Sequence, residues 1–264
     1  MNVKEKCKRI WEGYKLYAST AYVSRKGFEL VGMTELTDDR VPMNADEIFR
    51  RRGESGLEHQ AKTAWLSVAF NENFPHYFAD RWSSSNYSWF TTYSSAYLAI
   101  VVALNHDIGE VSTGDIPDNG NPLHDTKDAI EHEVFEKMVS NVCNRNKDEI
   151  MAVFDEFQDK NSLIGKAIYA LDKIEAVLNL LFLEQYNHYG AMGIGPFVTE
   201  QDKRYMRMTH SSNATDCWAA HVKELLLDYP RNIMEPVFSL LQVAVEDVRG
   251  EMFEWWDQDP LGKV

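Results

Sequence analysis

Apolar residues recur along this chain at intervals of three and four, and no alternating apolar–polar run exceeds four residues. Spacing of three and four lines one side of an α-helix, whereas strict alternation marks a half-buried strand, so the pattern predicts an all-α fold. A first helix is expected over residues 3–22, with Ile10, Tyr14 and Tyr17 on one side. Residues from there to about Arg50 are rich in turn formers and charge and read as loops with short helices. A second helix opens near Ser55 or Gly56, either of which could cap it, with Leu57, Ala61, Ala64, Trp65 and Val68 as its apolar face and His59 in its first turn. Residues 71–88 break the pattern with Asn-Glu-Asn-Phe-Pro and Asp80-Arg81-Trp82, and read as a loop carrying exposed aromatics.

The most apolar helix is expected next, from about Trp89 to Thr113, with Gly114 as a left-handed cap. Beyond it the pattern predicts a helix over about 125–144, capped by Asp125 and striped by Ile130, Val134 and Met138, and a short helix over 149–157. A long helix follows over 163–189, with Ile164, Ile168, Leu171, Ile174, Leu178 and Leu181 inward. Gly190 to Pro196 is the clearest linker, and two further helices, about 213–228 and 231–256, come after it. The expected organisation is therefore a helical core over 1–190 with an N-terminal extension, and a C-terminal helical extension over 191–264 packing on it. The apolar stripes of residues 213–256 suit a homodimer contact and a simple extension of the core equally well.

Composition narrows what such a bundle can do. With 44% apolar residues in 264, the chain can bury a sizeable core. A net charge of −14 argues against binding nucleic acid or an anionic membrane, which demand basic surface, but leaves room for a small phosphorylated substrate in a local basic pocket. Three separated cysteines, Cys7, Cys143 and Cys217, suggest neither a thiolate zinc site nor a disulfide framework. The start of the chain has no apolar signal region and the longest apolar stretch is too short to span a bilayer, so a cytoplasmic protein is expected.

Candidate chemistry gathers at His106-Asp107, which follows the apolar run directly. Two polar groups on an apolar helix are costly to bury without partners, so this pair is either a hydrogen-bonded core pair or half of a site. Asp172 interrupts the Leu/Ile stripe of the long helix, where an aspartate is both a poor helix former and a poor core residue. Together with His59, these residues make a mixed nitrogen and oxygen donor set suited to Mn, Fe, Co, Ni or Zn. Glu110 lies three and four residues beyond Asp107 and His106, on their side if the helix continues.

The order His59, His106-Asp107, Asp172 resembles the H…HD…D pattern of the HD-domain metal-dependent phosphohydrolases. Glu54-Ser55-Gly56-Leu57-Glu58-His59 is similar to the "ESVxEH" lead into that family's first ligand helix. His106-Asp107-Ile108-Gly109-Glu110 and the following Gly114-Asp115-Ile116-Pro117 resemble "HDxxEvxtGDxP" of its bacterial 5′-deoxynucleotidase branch and eukaryotic relatives. Leu171-Asp172-Lys173-Ile174-Glu175 resembles that branch's "aDklE" helix. The match covers roughly residues 50–190, with a longer interval between His59 and His106 than the branch usually has.

The resemblance implies an HD-domain helical bundle in which His59, His106, Asp107 and Asp172 bind one divalent transition metal. It implies hydrolysis of a phosphate from a nucleotide, foremost a 5′-deoxynucleoside monophosphate, by a metal-activated water. Glu110 would orient or deprotonate that water, and Asp115 would help protonate the leaving oxygen, against an Asx turn before Pro117 as the plain alternative. Arg50, Arg51 and Arg52 compete, with Arg40, for the role of phosphate clamp; a solvated charge run explains them as well. Two other functions remain open on sequence: triphosphate removal from dNTPs or another phosphate ester, and a scaffold that binds partners with vestigial chemistry.

Overall fold

A computed structural model describes residues 1–19, 56–78, 95–108, 124–142, 147–159, 162–186, 200–211, 213–253 and 255–256. Every regular element among them is an α-helix: α1 Val3–Ser19, α2 Gly56–Asn73, α3 Ser95–Ala103, α4 His124–Val142, α5 Lys147–Gln158, α6 Leu163–Tyr186, α7 Glu200–Thr209, α8 Ala214–Leu226 and α9 Arg231–Arg249. No described helix is long and apolar enough to cross a membrane.

The bundle is built around α6, which packs against α1, α2, α3, α5, α8 and α9. Its expected stripe is buried throughout: Ile164, Ile168, Leu171, Ile174, Leu178 and Leu181 have no exposed surface. Each such side chain contributes about 1.5–3 kcal/mol on leaving water. Ser162 caps the helix by accepting from the Gly165 amide at 3.2 Å. A side chain at Gly165 would meet the Glu156 carbonyl at 2.8 Å, so glycine permits the close turn from α5 into α6.

The C-terminal helices join the same core. Val237, Leu240, Leu241 and Ala244 of α9 and Ala219, Ala220, Val222 and Leu226 of α8 are buried with the residues of α6 and α1. The stripes at 213–256 thus pack inside the chain's own core. Gly250, at φ 80°, ends α9 short of the expected residue 256. Phe253, Trp255 and Trp256 then fold back, with Lys223 bonded to the Trp256 carbonyl. At the other end α4 and α5 form a pair with a small core of their own, in which Phe135 stacks on Phe154 at 4.2 Å.

Several expectations are corrected. The expected face of α2 is buried only in part: Ala64 is in the core and Trp65 packs against it, but Leu57 and Val68 are exposed, while Gln60, Lys62, Thr63 and Ser67 are buried beside Leu66 and Phe70. The aromatics that begin the expected loop are not exposed either, since Tyr77 and Phe78 are buried and Tyr77 donates to the Ala167 carbonyl at 3.1 Å. In α4 the deeply buried residues are Phe135 and Val139 rather than Ile130, and the helix starts at His124, which puts Asp125 inside its first turn. Helix α7 was not expected at all. The linker 190–196, Trp82 and Trp89 lie outside the described residues.

Candidate metal centre

Three helices deliver side chains to one point. α2 carries His59 in its first turn, and α6 carries Asp172 near its middle. The third contribution follows α3, which ends at Ala103 rather than continuing to Thr113. The cause is local: the Asn105 amide donates to the Val101 carbonyl at 2.6 Å, and His106 Nδ1 donates to the Ala103 carbonyl at 2.8 Å. These bonds satisfy carbonyls left open at a helix end, and the turn they stabilise sets His106 and Asp107 beside the other helices.

His59 Nε2 lies 2.7 Å from Asp172 Oδ1 and 3.7 Å from Asp107 Oδ2. His106 Nε2 lies 3.1 Å from Asp107 Oδ2 and 3.4 Å from Asp172 Oδ1. Donor atoms of His59, His106 and Asp172 all fall within 4.8 Å of one another, close enough to hold one metal ion. His106 and Asp172 are buried, whereas the Asp107 side chain is 24% exposed, so the cluster opens to solvent on the Asp107 side.

The direction of the nitrogens separates this cluster from an ordinary hydrogen-bonded pair. A carbonyl only accepts, so the bond to Ala103 places a proton on His106 Nδ1 and leaves Nε2 of the neutral ring with a lone pair. That Nε2 is buried, and despite two nearby carboxylates it has no partner in hydrogen-bond geometry. His59 is likewise held through Nδ1, which meets Glu175 Oε2 at 2.6 Å, while its Nε2 faces the cluster in hydrogen-bond contact with Asp172 Oδ1 at 2.7 Å. Imidazoles fixed through one nitrogen and aimed by the other are what a metal site demands.

The cluster is also strongly coupled electrostatically. Burial works against protonating His59, but Asp172 and Glu175 overcome it and hold the imidazole well above its usual range. Burial opposes His106 as well, and the Asp107 charge with Asp172 carries it up to about 9. Burial would raise the Asp172 carboxyl, yet Lys173 and the two histidines keep it well below the usual carboxylate range. Lys173 Nζ sits 3.0 Å from Asp172 Oδ2, the oxygen not shared with the histidines. A site that favours positive charge this strongly among buried carboxylates fits a divalent cation.

A family model described as HD domain matches residues 46–211, most of the chain and all four clustered residues. The chain belongs to the HD-domain family. Proteins with this domain are, as a class, metal-dependent phosphohydrolases, and the paired imidazoles and carboxylates of this HD domain are a donor set for such an ion. Comparisons with curated proteins and with solved structures find no match.

The structure thus brings His59, His106, Asp107 and Asp172 close together. Glu110, Asp115, Arg50, Arg51, Arg52 and Arg40 lie outside the described residues. Sequence reasoning assigned no role to Glu175, Lys62 or Tyr14. Their trace was present: Asp172, Glu175 and Asn179 fall on one line of α6, opposite His59 and Lys62, which are three apart on α2. Lys62 Nζ donates to Asn179 Oδ1 at 2.8 Å and lies 3.9 Å from Glu175 Oε1, extending a buried polar seam between the two helices.

Proposed function

We propose that this HD-domain protein is a metal-dependent phosphomonoesterase acting on a nucleotide, with His59, His106, Asp107 and Asp172 as ligands of one divalent ion. The observation that carries the reading is the pair of imidazoles with both Nδ1 atoms engaged and both Nε2 atoms turned toward the same two carboxylates. Bound there, a divalent ion supplies Lewis acidity, acidifying water and offsetting negative charge on a phosphoryl group.

The chain's own residues account for the rest. His59 and His106 present neutral nitrogens because Glu175 and the Ala103 carbonyl hold their other protons. Asp107 and Asp172 supply negative charge that fixes the cation, and Lys173 keeps Asp172 ionised. Glu110 is assigned to take the proton from the attacking water, since no residue of the ligand set is free to do so. Asp115 is assigned to the leaving oxygen, and one or more of Arg50, Arg51 and Arg52 to the phosphate, where a guanidinium fork offers paired donors.

The substrate class, a 5′-deoxynucleoside monophosphate, rests on the likeness of residues 106–117 and 171–175 to the 5′-deoxynucleotidase branch. A panel of deoxynucleoside mono- and triphosphates, assayed with Mn, Co, Fe, Ni and Zn, tests it. Orthophosphate released from monophosphates supports the proposal; tripolyphosphate released from dNTPs reassigns the chain to triphosphohydrolysis. A protein that binds no metal and hydrolyses no phosphate ester favours the scaffold reading instead.

A further inference from the structure

Behind His59 lies a second layer of contacts that reaches a helix outside the matched family residues. Glu175 is completely buried, and its two oxygens are divided between two partners. Oε2 faces His59 Nδ1 at 2.6 Å, and Oε1 accepts from the Tyr14 hydroxyl at 2.5 Å. Tyr14 belongs to α1, well before residue 46, where the family match begins. Its ring is completely buried and stacks on Trp11 at 5.7 Å, and Trp11 is anchored in turn by its indole N–H to Asp247 at 2.9 Å. One residue earlier, a side chain at Gly13 would meet the Trp65 ring at 2.7 Å, so the glycine lets α1 approach α2 closely.

We infer that Glu175, held by Tyr14 of α1, is the positioning residue for His59, so that α1 is a working part of the metal centre. The inference rests on the ligand set proposed above. An imidazole on a helix can turn about its side-chain torsions and can carry its proton on either nitrogen. The carboxyl oxygen at Nδ1 selects one tautomer and one ring orientation, and makes Nε2 a better donor. The Tyr14 hydroxyl prevents Glu175 from rotating away, because Oε1 would lose a partner in a site closed to water. Lys62, beside the same oxygen, offsets the buried negative charge. Neither Tyr14 nor Glu175 belongs to the proposed ligand set, so both act through His59.

The test is titration of the metal-free protein with Co2+, read by its visible absorption bands, for wild type, Glu175→Gln, Tyr14→Phe and Asp172→Ala. Glu175→Gln keeps the shape but offers His59 a weaker, uncharged acceptor; we expect about 10–100-fold weaker binding and shifted bands. Tyr14→Phe removes one hydroxyl and is expected to move affinity and bands in the same direction by less. Far-ultraviolet circular dichroism confirms that each variant is folded, and if Glu175→Gln does not fold, Tyr14→Phe decides alone. Wild-type affinity and bands in the folded variants at 14 and 175, beside lost binding in Asp172→Ala, overturn the relay and leave the ligand set standing. A wild type that takes up no Co2+, or an Asp172→Ala protein that binds as tightly as wild type, overturns both.

Discussion

Helix α6 carries two buried ionic clusters, and they are built on opposite plans. Near its C-terminal end Glu184 accepts both Arg249 Nε, at 3.0 Å, and Nη2, at 2.9 Å, while Arg249 Nη1 reaches Asp216 at 2.5 Å. Thr215 also donates to Glu184, and the Asn213 amide adds a bond at 3.3 Å. Donors point at acceptors along every one of these contacts, and the cluster ties α6, α8 and α9 together. Near the middle of the helix, around Asp172, the bonding is incomplete: His59 Nε2 bonds to Asp172 Oδ1 at 2.7 Å, but the second imidazole is left over. His106 Nε2 lies near two carboxylate oxygens and bonds to neither in acceptable geometry. A closed network is complete within the protein, whereas an open one converges on a point between its members. The open cluster is therefore where a ligand belongs, and the closed one is a clasp.

The largest way to break this comparison is to remove a carboxylate from the open cluster. Asp172→Ala should lose its metal and all detectable phosphatase activity while remaining folded, and elemental analysis of the purified variant checks the first part directly. Unchanged metal content would sink the ligand assignment. Glu110→Ala should act differently, keeping the metal and losing about 10²–10⁴-fold in kcat, the usual contribution of a general base. Hydrolysis at the wild-type rate in that variant would show that Glu110 is not the general base.

How far these clusters were legible in the sequence differs by residue, for physical reasons. Asp172 stood out because it interrupts an apolar stripe, His106-Asp107 because they follow an apolar run directly, and His59 because the order and flanking strings of all four match a known pattern. The inward stripe of α6 was legible because the helix is buried by neighbours on several sides. The face of α2 was misread in part because much of its buried side is polar. Lys62 finds Asn179 and His59 finds Glu175 across the interface, and partners on another helix are invisible to periodicity. The end of α3 was misread because two side chains downstream, Asn105 and His106, take up its carbonyls. Helix α7 escaped because only Tyr205 and Thr209 of its ten residues are buried among those with described side chains, too few to make a stripe. The clasp was missed because Glu184, Asp216 and Arg249 are far apart in sequence and individually look like surface charges.

The clasp offers the converse experiment. Arg249→Met should cost about 3 kcal/mol of stability, because it leaves two part-buried carboxylates without their cation. Metal affinity should be unchanged, since no residue of that network touches His59, His106, Asp107 or Asp172 in the described contacts. Urea unfolding and a metal titration on the same variant check both halves. An Arg249→Met protein as stable as wild type but impaired in metal binding would reverse the roles assigned to the two clusters.

The subtlest contrast is the response to pH. In chelator-treated protein the raised values at His59 and His106 mean that the folded state binds protons more tightly than the unfolded chain, whose imidazoles titrate near 6.5. That contribution to stability is fully present below about 6.5 and is lost as pH rises through the folded value, about 9 for His106. The metal competes for the same nitrogens, so its apparent affinity should move the opposite way, rising by up to about tenfold per pH unit for each proton displaced. Calorimetric titrations in buffers of different ionisation enthalpy, run between pH 6.5 and 9, would count those protons. Arg249 is held charged by Glu184 and Asp216 above its already high ordinary value, so the guanidinium gives up no proton across this window. Metal binding with no proton release would show that the imidazoles are already neutral, and that the open cluster is less tightly coupled than its short contacts imply.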